Sequence, residues 1–208
     1  MKNFLPIIFI FCVYTGFSQI DSTFSPLSPK EYIKSYWNNG IQLINQPLTW
    51  KGKDWAILGG SVALTAGLTH FDADINRPFQ KWNTSLGNSF GKTGNILGNT
   101  YTMVGSSLVV MAAGMATHNN KLKNFAMDNL QAQIFTGAVT YLTKNLFGRA
   151  RPDHGRGSGY WDGPFKSNGF ESFFSGHASV AFSTATMIYL HSKKKLWVGI
   201  LSYAVATG

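Results

Sequence analysis

The apolar positions along the chain follow a helical period. From about Asp128 onward, apolar residues recur every three or four positions, as one face of an α-helix requires: Met127, Leu130, Ile134, Ala138 and Tyr141. Apolar runs predict further helices over residues 54–70, from residue 102, over residues 176–190 and over residues 196–206. No stretch alternates with the two-residue period of a strand. The pattern therefore predicts an all-α chain, a helical bundle of about five or six helices.

Start and stop signals refine the predicted elements between these runs. Ser28 followed by Pro29 is a typical helix beginning, so a short amphipathic helix is predicted over residues 29–43. Residues 71–95 are polar and rich in turn-forming residues, which predicts irregular structure with one short helix after Pro78. Residues 118–124 are predicted to be a loop.

The first 18 residues have a composition of their own. Lys2 is followed by a short apolar core that contains Cys12, the single cysteine, and then by Gly16-Phe17-Ser18. This order is typical of a secretory signal, although an N-terminal membrane anchor is an alternative interpretation. We therefore predict a signal peptide or anchor over residues 1–18, an extension with the amphipathic helix over residues 19–54, and a helical domain over residues 55–208.

The composition indicates a large apolar interior, a membrane environment, or both. Charged residues make up 13% of the chain, about half the usual share, and aromatic residues make up 14%. The net charge is +9, but the lysines and arginines are scattered along the sequence and form no basic stripe or recognised motif. Nucleic-acid binding is therefore not predicted. An anionic substrate and an anionic lipid surface fit the sign of the charge equally well.

Residues 144–177 hold the candidate chemistry. Lys144 and Arg151 are seven positions apart, so a continuous helix would place them on one face, about 10 Å apart along the axis. Pro152 disfavours the α conformation of Arg151, so the helix is predicted to stop there. Residues 175–177 are predicted to begin the next helix, where free backbone N–H groups collect. Two cations and a set of N–H donors predict a phosphate site.

These residues resemble two signatures of a known superfamily. Lys144, six intervening residues, Arg151 and Pro152 resemble the first signature of the type 2 phosphatidic acid phosphatase and vanadium haloperoxidase superfamily. Residues 174–177 resemble the second, which is usually written Pro-Ser-Gly-His, with Phe174 in place of the proline. Two signatures in the right order are far more specific than one. The resemblance covers residues 55–208 and implies a helical phosphatase fold.

The resemblance also implies a role for each site residue. His177 is the expected general acid, and the expected phosphate ligands are Lys144, Arg151, Ser175 and Gly176. The implied reaction is hydrolysis of phosphomonoesters, or of lipid phosphates or diphosphates, through a phosphohistidine, with no metal and no cofactor. The nucleophilic histidine belongs to a third signature that begins with Ser-Arg. No Ser-Arg pair occurs among the 208 residues, so the nucleophile is expected beyond residue 208, and these residues alone are expected to be inactive.

Several alternatives remain open from the sequence. A vanadate-dependent haloperoxidase would use the same pocket, and a non-catalytic envelope or membrane protein could retain it as a phosphate-binding site. The expected partner is a phosphorylated small molecule or lipid, and the expected location is the bacterial cell envelope, with the site facing the periplasm. The signal-like start favours a periplasmic bundle. The positive-inside bias favours a membrane bundle with Lys121, Lys123 and Lys193–Lys195 on the cytoplasmic side.

Overall fold

The computed structural model describes residues 28–71, 74, 78, 85–150, 160, 161, 163–165 and 173–207. The predicted signal segment, Arg151 and Pro152 lie outside the described residues. The chain divides into two compact units, Met1–Ala66 and Gly67–Gly208. Their helices are described in turn, and the domain boundaries predicted at residues 18 and 54 stay predictions.

The first unit contains an amphipathic helix with a complete cap. Helix α1 spans Pro29–Asn45 and begins at Ser28, as predicted. A 3₁₀ turn, Gln46–Thr49, follows it. Helix α2 spans Gly52–His70 and continues past the unit boundary. The Trp50 and Trp55 rings meet edge to face at 5.0 Å between centroids, which fixes the turn into α2.

The second unit is a bundle of helices, and the predicted all-α class is confirmed. The described part of this unit holds five helices: α3 Ser85–Gly98, α4 Thr100–Ala116, α5 Asn120–Phe147, α6 Gly176–His191 and α7 Leu196–Thr207. It forms no strand, and its only β-type pairing in the described residues is an isolated bridge between Arg149 and Trp161.

Buried polar contacts fix α4 and α5 side by side and antiparallel. The Asn129 amide on α5 donates a hydrogen bond of 2.9 Å to the Ser107 hydroxyl on α4. Near the turn between the two helices, Gly114 packs on the backbone of α5, because a Cβ added there would lie 2.7 Å from the backbone N of Lys123. The small residue at position 114 therefore lets the two helices approach closely.

Helix α6 lies at the centre of the unit and contacts α3, α4, α5 and α7. Towards α5, the Gln133 amide donates a hydrogen bond of 3.3 Å to the Thr184 hydroxyl. Towards α7, the Thr186 and Tyr203 hydroxyls lie 2.9 Å apart. His191 at the end of α6 contacts Asp128 near the start of α5, and Tyr189 late in α6 packs on Gly199 early in α7. Together with the contacts above, these show that the three helices are successively antiparallel.

Helix α3 is longer than the prediction for residues 71–95 allowed. Irregular structure with one short helix after Pro78 was predicted, but a helix of 14 residues occupies Ser85–Gly98. Glycine and asparagine lower the intrinsic helix propensity of this segment. Packing overrides propensity, because α3 contacts α4, α6 and α7.

Helix α5 is also longer at its start than predicted. It begins at Asn120, not near Asp128, so part of the predicted loop over residues 118–124 is helical. The Asn119 side chain is the reason, since it accepts hydrogen bonds from the backbone N–H groups of Lys121 and Leu122.

One bent pair of the described helices is long and apolar enough to be a candidate for crossing a membrane. Within the described ranges, no single helix is both long and apolar enough to cross a bilayer. Residues Gly91–Gly98 and Thr100–Ala116 reach the required length and apolarity only together, across a bend of 63°.

Candidate active site

The carboxyl end of α5 carries Lys144 and closes with a left-handed glycine. Lys144 lies half-buried in the last turn. The helix ends at Phe147, where Gly148 adopts φ 57° and ψ 42° and its N–H donates to the Lys144 carbonyl over 2.9 Å. A Cβ at Gly148 would also lie 2.6 Å from the Gly163 carbonyl oxygen. Both the backbone angle and this close approach therefore require glycine at position 148.

This helix end overturns one prediction about the phosphate ligands. Lys144 and Arg151 were expected on one continuous helix, but α5 ends at Phe147, four residues before Arg151. Their relative position therefore cannot come from helical spacing. The side chain of Arg151 lies outside the described residues, so its predicted place in the site stays a prediction.

The end of α5 and the residues after it contact the described residues between 160 and 165. The Ala150 N–H donates to the Tyr160 carbonyl over 3.0 Å, and the Phe165 N–H donates to the Asn145 carbonyl over 2.8 Å. The Arg149 guanidinium carbon lies 5.5 Å from the centre of the Trp161 ring, a cation–π contact. Arg149 therefore helps to hold Trp161 against the end of α5.

An aromatic cluster holds the two signature segments together. Phe147, Trp161 and Phe173 make three mutual edge-to-face contacts, with ring centroids 5.3 to 5.9 Å apart. Phe174 stacks on Phe173 at 4.1 Å. Phe147 closes α5 three residues after Lys144, and Phe173 precedes Ser175 by two residues. The aromatic cluster thus joins the end of α5 to the beginning of α6.

Helix α6 begins as the sequence predicted. Ser175 is its N-cap, with an extended backbone, and the Ser175 hydroxyl accepts a hydrogen bond of 3.3 Å from the Ala178 N–H. Gly176 and His177 follow as the first two helical residues, and their N–H groups have no acceptor within the helix. A Cβ added at Gly176 would meet nothing within 4 Å, so the space beside this backbone is open. An approaching anion would find these donors accessible.

His177 packs against the end of α3 while its residue remains exposed. A Cβ added at Gly98 would lie 2.6 Å from the His177 Cβ and 2.9 Å from its Cδ2. Gly98 is buried, and it admits the imidazole only because it has no side chain. Gly98 was not predicted as a site residue, because it belongs to neither signature and its contact with His177 joins distant parts of the sequence.

Comparison with known proteins agrees with the two signatures. Residues 125–208 match the family model described as the PAP2 superfamily. The chain is similar to this superfamily over these residues. No curated protein and no solved structure matches it. The match begins in α5 and extends through α6 and α7. It therefore includes the end of α5 with Lys144 and the beginning of α6 with Ser175, Gly176 and His177.

The arrangement suits an anion better than a metal ion. The described site residues offer a lysine, a serine hydroxyl, backbone N–H groups and an imidazole. Among the described residues, no group of three or more histidine, cysteine or acidic side chains lies close enough to hold a metal ion. A helix N-terminus with a nearby cation attracts phosphate through both hydrogen bonds and charge.

Proposed function

We propose that this protein is a phosphatase that hydrolyses phosphomonoesters, or lipid phosphates or diphosphates. One observation carries the proposal. The serine-capped beginning of α6 presents His177, and the aromatic cluster joins it to the helix end that carries Lys144, all within the segment that matches the superfamily. The match to the PAP2 superfamily supports phosphatase-type activity in general terms, and the residue roles and the substrate are part of the proposal.

The phosphate would bind at the amino end of α6. The Ser175 hydroxyl accepts from Ala178, so its own O–H remains able to donate to a phosphate oxygen. The first N–H groups of α6 point the same way along the axis, and the helix dipole favours negative charge at this end. Lys144 would neutralise a non-bridging oxygen, and Arg151 would contact the phosphate in a bidentate manner, as the first signature implies.

The chemistry would proceed in two displacements. A histidine nitrogen attacks phosphorus, the bond from phosphorus to the leaving oxygen breaks, and His177 donates a proton to that oxygen. Water then attacks the phosphohistidine, so that phosphate leaves and the histidine is restored. The nucleophilic histidine belongs to the third signature, which does not occur among the 208 residues. Lys144, Ser175 and Gly176 would bind the phosphate in both steps. His177 would supply the proton in the first step and, once deprotonated, would accept a proton from the attacking water in the second.

Exposed apolar side chains on α7 support a membrane-associated location in the cell envelope. Leu196, Trp197, Ile200, Leu201 and Val205 on α7 are each 57 to 62% exposed. Apolar surface of this extent on one helix is typical of contact with lipid or with another protein. Together with the signal-like first segment, it favours a membrane-associated phosphatase whose site faces the periplasm and whose substrates include lipid phosphates.

Hydrolysis of an aryl phosphate by a wild-type chain that carries the third signature, and by its His177→Ala variant, tests the proposal. Loss of the general acid should lower kcat by about a hundredfold or more. His118→Asn is a matched control, because His118 is exposed in the turn after α4, at φ 53°, where asparagine is tolerated. The control should keep full activity.

Calorimetric titration with inorganic phosphate gives a second readout that needs no nucleophile. Binding without turnover in a protein that carries the third signature would favour the non-catalytic alternative. Oxidation of halide by the vanadate-loaded protein would favour the haloperoxidase. Wild-type hydrolysis with an unaffected His177→Ala variant would refute the role given to His177.

A further inference from the structure

Lysines that are scattered along the sequence gather at one end of the bundle. Helix α5 begins with Lys121 and Lys123, and the turn between α6 and α7 contains Lys193, Lys194 and Lys195. We call these five residues the lysine end. Helix α5 runs from the lysine end to Lys144, and α6 runs from Ser175 back to the lysine end. The lysine end therefore lies opposite the candidate active site.

Contacts between α5 and α6 place the two groups of lysines beside each other. The Nε2 of His191, the last residue of α6, lies 3.0 Å from the Asp128 carboxylate. The His191 and Phe125 rings meet edge to face at 5.4 Å. Lys123 lies two residues before Phe125, and Lys193 lies two residues after His191. The two lysine-bearing segments are thus fixed on the same end face.

The lysine end has a strong and uncompensated positive charge. Four of its lysines are exposed and Lys123 is half-buried. Asp128 is the only acidic residue among residues 85–150 and 173–207, and its carboxylate contacts His191. In the part of the chain that the structure describes, none of the five lysines forms an ion pair. A multivalent anion is the chemical complement of such a surface.

Exposed apolar side chains lie around the lysine end and indicate which kind of anion fits this surface. Met115 at the end of α4 is 53% exposed, and Leu196 and Trp197 at the start of α7 are 61% and 62% exposed. Lysine, tryptophan and leucine together are typical of the interface between lipid headgroups and acyl chains. A nucleic acid would match the lysines but would leave the apolar residues in water.

The backbone of the α6–α7 turn shows that lysine is not the easiest residue there. Lys193 and Lys194 adopt φ values of 60° and 56°, in the left-handed region that favours glycine and asparagine. The turn therefore carries its positive charge at positions where other residues would fit the backbone better. This allows a test in which charge is removed without harm to the turn.

We propose that the lysine end binds the headgroups of anionic phospholipids at a bilayer surface. Lys121, Lys193, Lys194 and Lys195 contact the headgroups, and Trp197 and Leu196 enter the interface beside them. The bundle then contacts one leaflet at the end opposite its active site. This inference rests on charge and exposure at the lysine end and does not depend on the proposed phosphatase activity.

The test compares vesicles of phosphatidylcholine alone with vesicles that also contain phosphatidylglycerol. Partition of the full chain is titrated for the wild type and for Lys193→Asn/Lys194→Gly/Lys195→Gln. The wild type should prefer the anionic vesicles, and the triple variant should lose about a hundredfold of that preference, since each lysine contributes about fivefold. Lys30→Gln/Lys34→Gln/Lys92→Gln removes the same charge from exposed positions elsewhere and should retain the preference.

Thermal unfolding and amine acylation are two further measurements that test the proposal. Thermal unfolding of the lysine-end triple variant should occur at or above the wild-type temperature, because asparagine and glycine suit the left-handed positions. Acylation by a water-soluble amine reagent should be slowed at Lys193–Lys195 by anionic vesicles and unchanged at Lys30, Lys34 and Lys92. Equal partition into both vesicles, equal losses in the two triple variants, or displacement of the protein from anionic vesicles by RNA would each overturn the proposal.

Discussion

Two helices in this protein begin with the same serine cap, but one beginning is closed to an external anion and the other is open to it. Ser28 caps α1 and Ser175 caps α6, and each hydroxyl accepts a hydrogen bond of 3.3 Å from the N–H three residues later. The residue at that third position differs. It is Glu31 in α1 and Ala178 in α6. This single difference decides whether the helix beginning is closed or open to an external anion.

In α1 the helix supplies its own anion. The Glu31 carboxylate accepts hydrogen bonds from the Ser28 hydroxyl, at 2.7 Å, and from the Ser28 N–H, at 2.9 Å. Both bonds lower the pKa of Glu31 below its usual value, and the bond from the Ser28 side chain has the larger effect. In α6 no carboxylate stands at the equivalent position, so the donors at its start remain for a phosphate. A capping box and a phosphate site are thus alternative uses of the same helix end.

The largest expected effect comes from Ala178→Glu, which would convert the open helix beginning into a closed one. The new carboxylate should reach back to Ser175 as Glu31 reaches back to Ser28, and its charge would occupy the phosphate position. Loss of these donors should lower hydrolysis by about a thousandfold. Unfolding stability should rise by about 0.5 to 1 kcal/mol, since a capping box favours the helix.

Steady-state kinetics and denaturant unfolding of the same preparations check the Ala178→Glu prediction. Ala178→Gln is the matched control, because glutamine can complete the box without a charge. It should lose less activity than the glutamate variant. Full activity in the more stable Ala178→Glu variant would show that phosphate does not bind at the start of α6.

A smaller effect is expected at the second helical position, where the two helices also differ. In α1 this position is Lys30, which is exposed; in α6 it is His177, which packs on Gly98. In Gly98→Ala the new methyl group would displace the imidazole, and a displacement of about 1 Å can lower kcat by about a hundredfold.

Gly105→Ala is the control for this change, because a Cβ added at Gly105 on α4 meets nothing within 4 Å. It should leave kcat unchanged and should stabilise the helix by about 0.5 to 1 kcal/mol. Equal kinetics for the Gly98 and Gly105 variants would mean that the contact with Gly98 does not position His177.

Both caps could be predicted from the sequence because caps are local. Ser28 before Pro29, and Ser175 before Gly176, are recognisable within a few residues, and the structure begins α1 and α6 there. The all-α class was predictable for a similar reason, since apolar periodicity is a local property of each helix. The pairing of the helices is not local, and it determines what each cap faces.

Three features of the site could not be predicted because they depend on contacts between distant segments. The full length of helix α3, which contains Gly98, depends on packing that overrides the low helix propensity of its segment. The aromatic cluster joins Phe147 to Phe173, which lie far apart in the sequence. The end of α5 was predicted at Arg151 from Pro152, but the left-handed Gly148 ends the helix earlier. The lysine end likewise becomes visible only when α5 and α6 lie antiparallel.

The smallest expected effect tests the closed helix itself. Ser28→Ala removes a hydroxyl that both accepts from the Glu31 N–H and donates to its carboxylate, so α1 should lose about 1 kcal/mol of stability. Because the folded-state pKa of Glu31 is lowered, its stabilising contribution is present above its unfolded pKa. That contribution is lost as the pH falls through the lowered folded-state value. The pH dependence should be weaker in Ser28→Ala, where only the backbone donor remains, and absent in Glu31→Gln.

Circular dichroism of helix content over the acidic range, at a fixed denaturant concentration, measures this difference. Ser175→Ala is the comparison in α6, where Ala178 cannot titrate. The stability lost in the Ser175→Ala variant should therefore not depend on the protonation of a capping carboxylate. If Glu31→Gln retained the wild-type pH dependence, the carboxylate would not be the anion that closes α1. The distinction between a closed and an open serine cap would then have to rest on Ala178 alone.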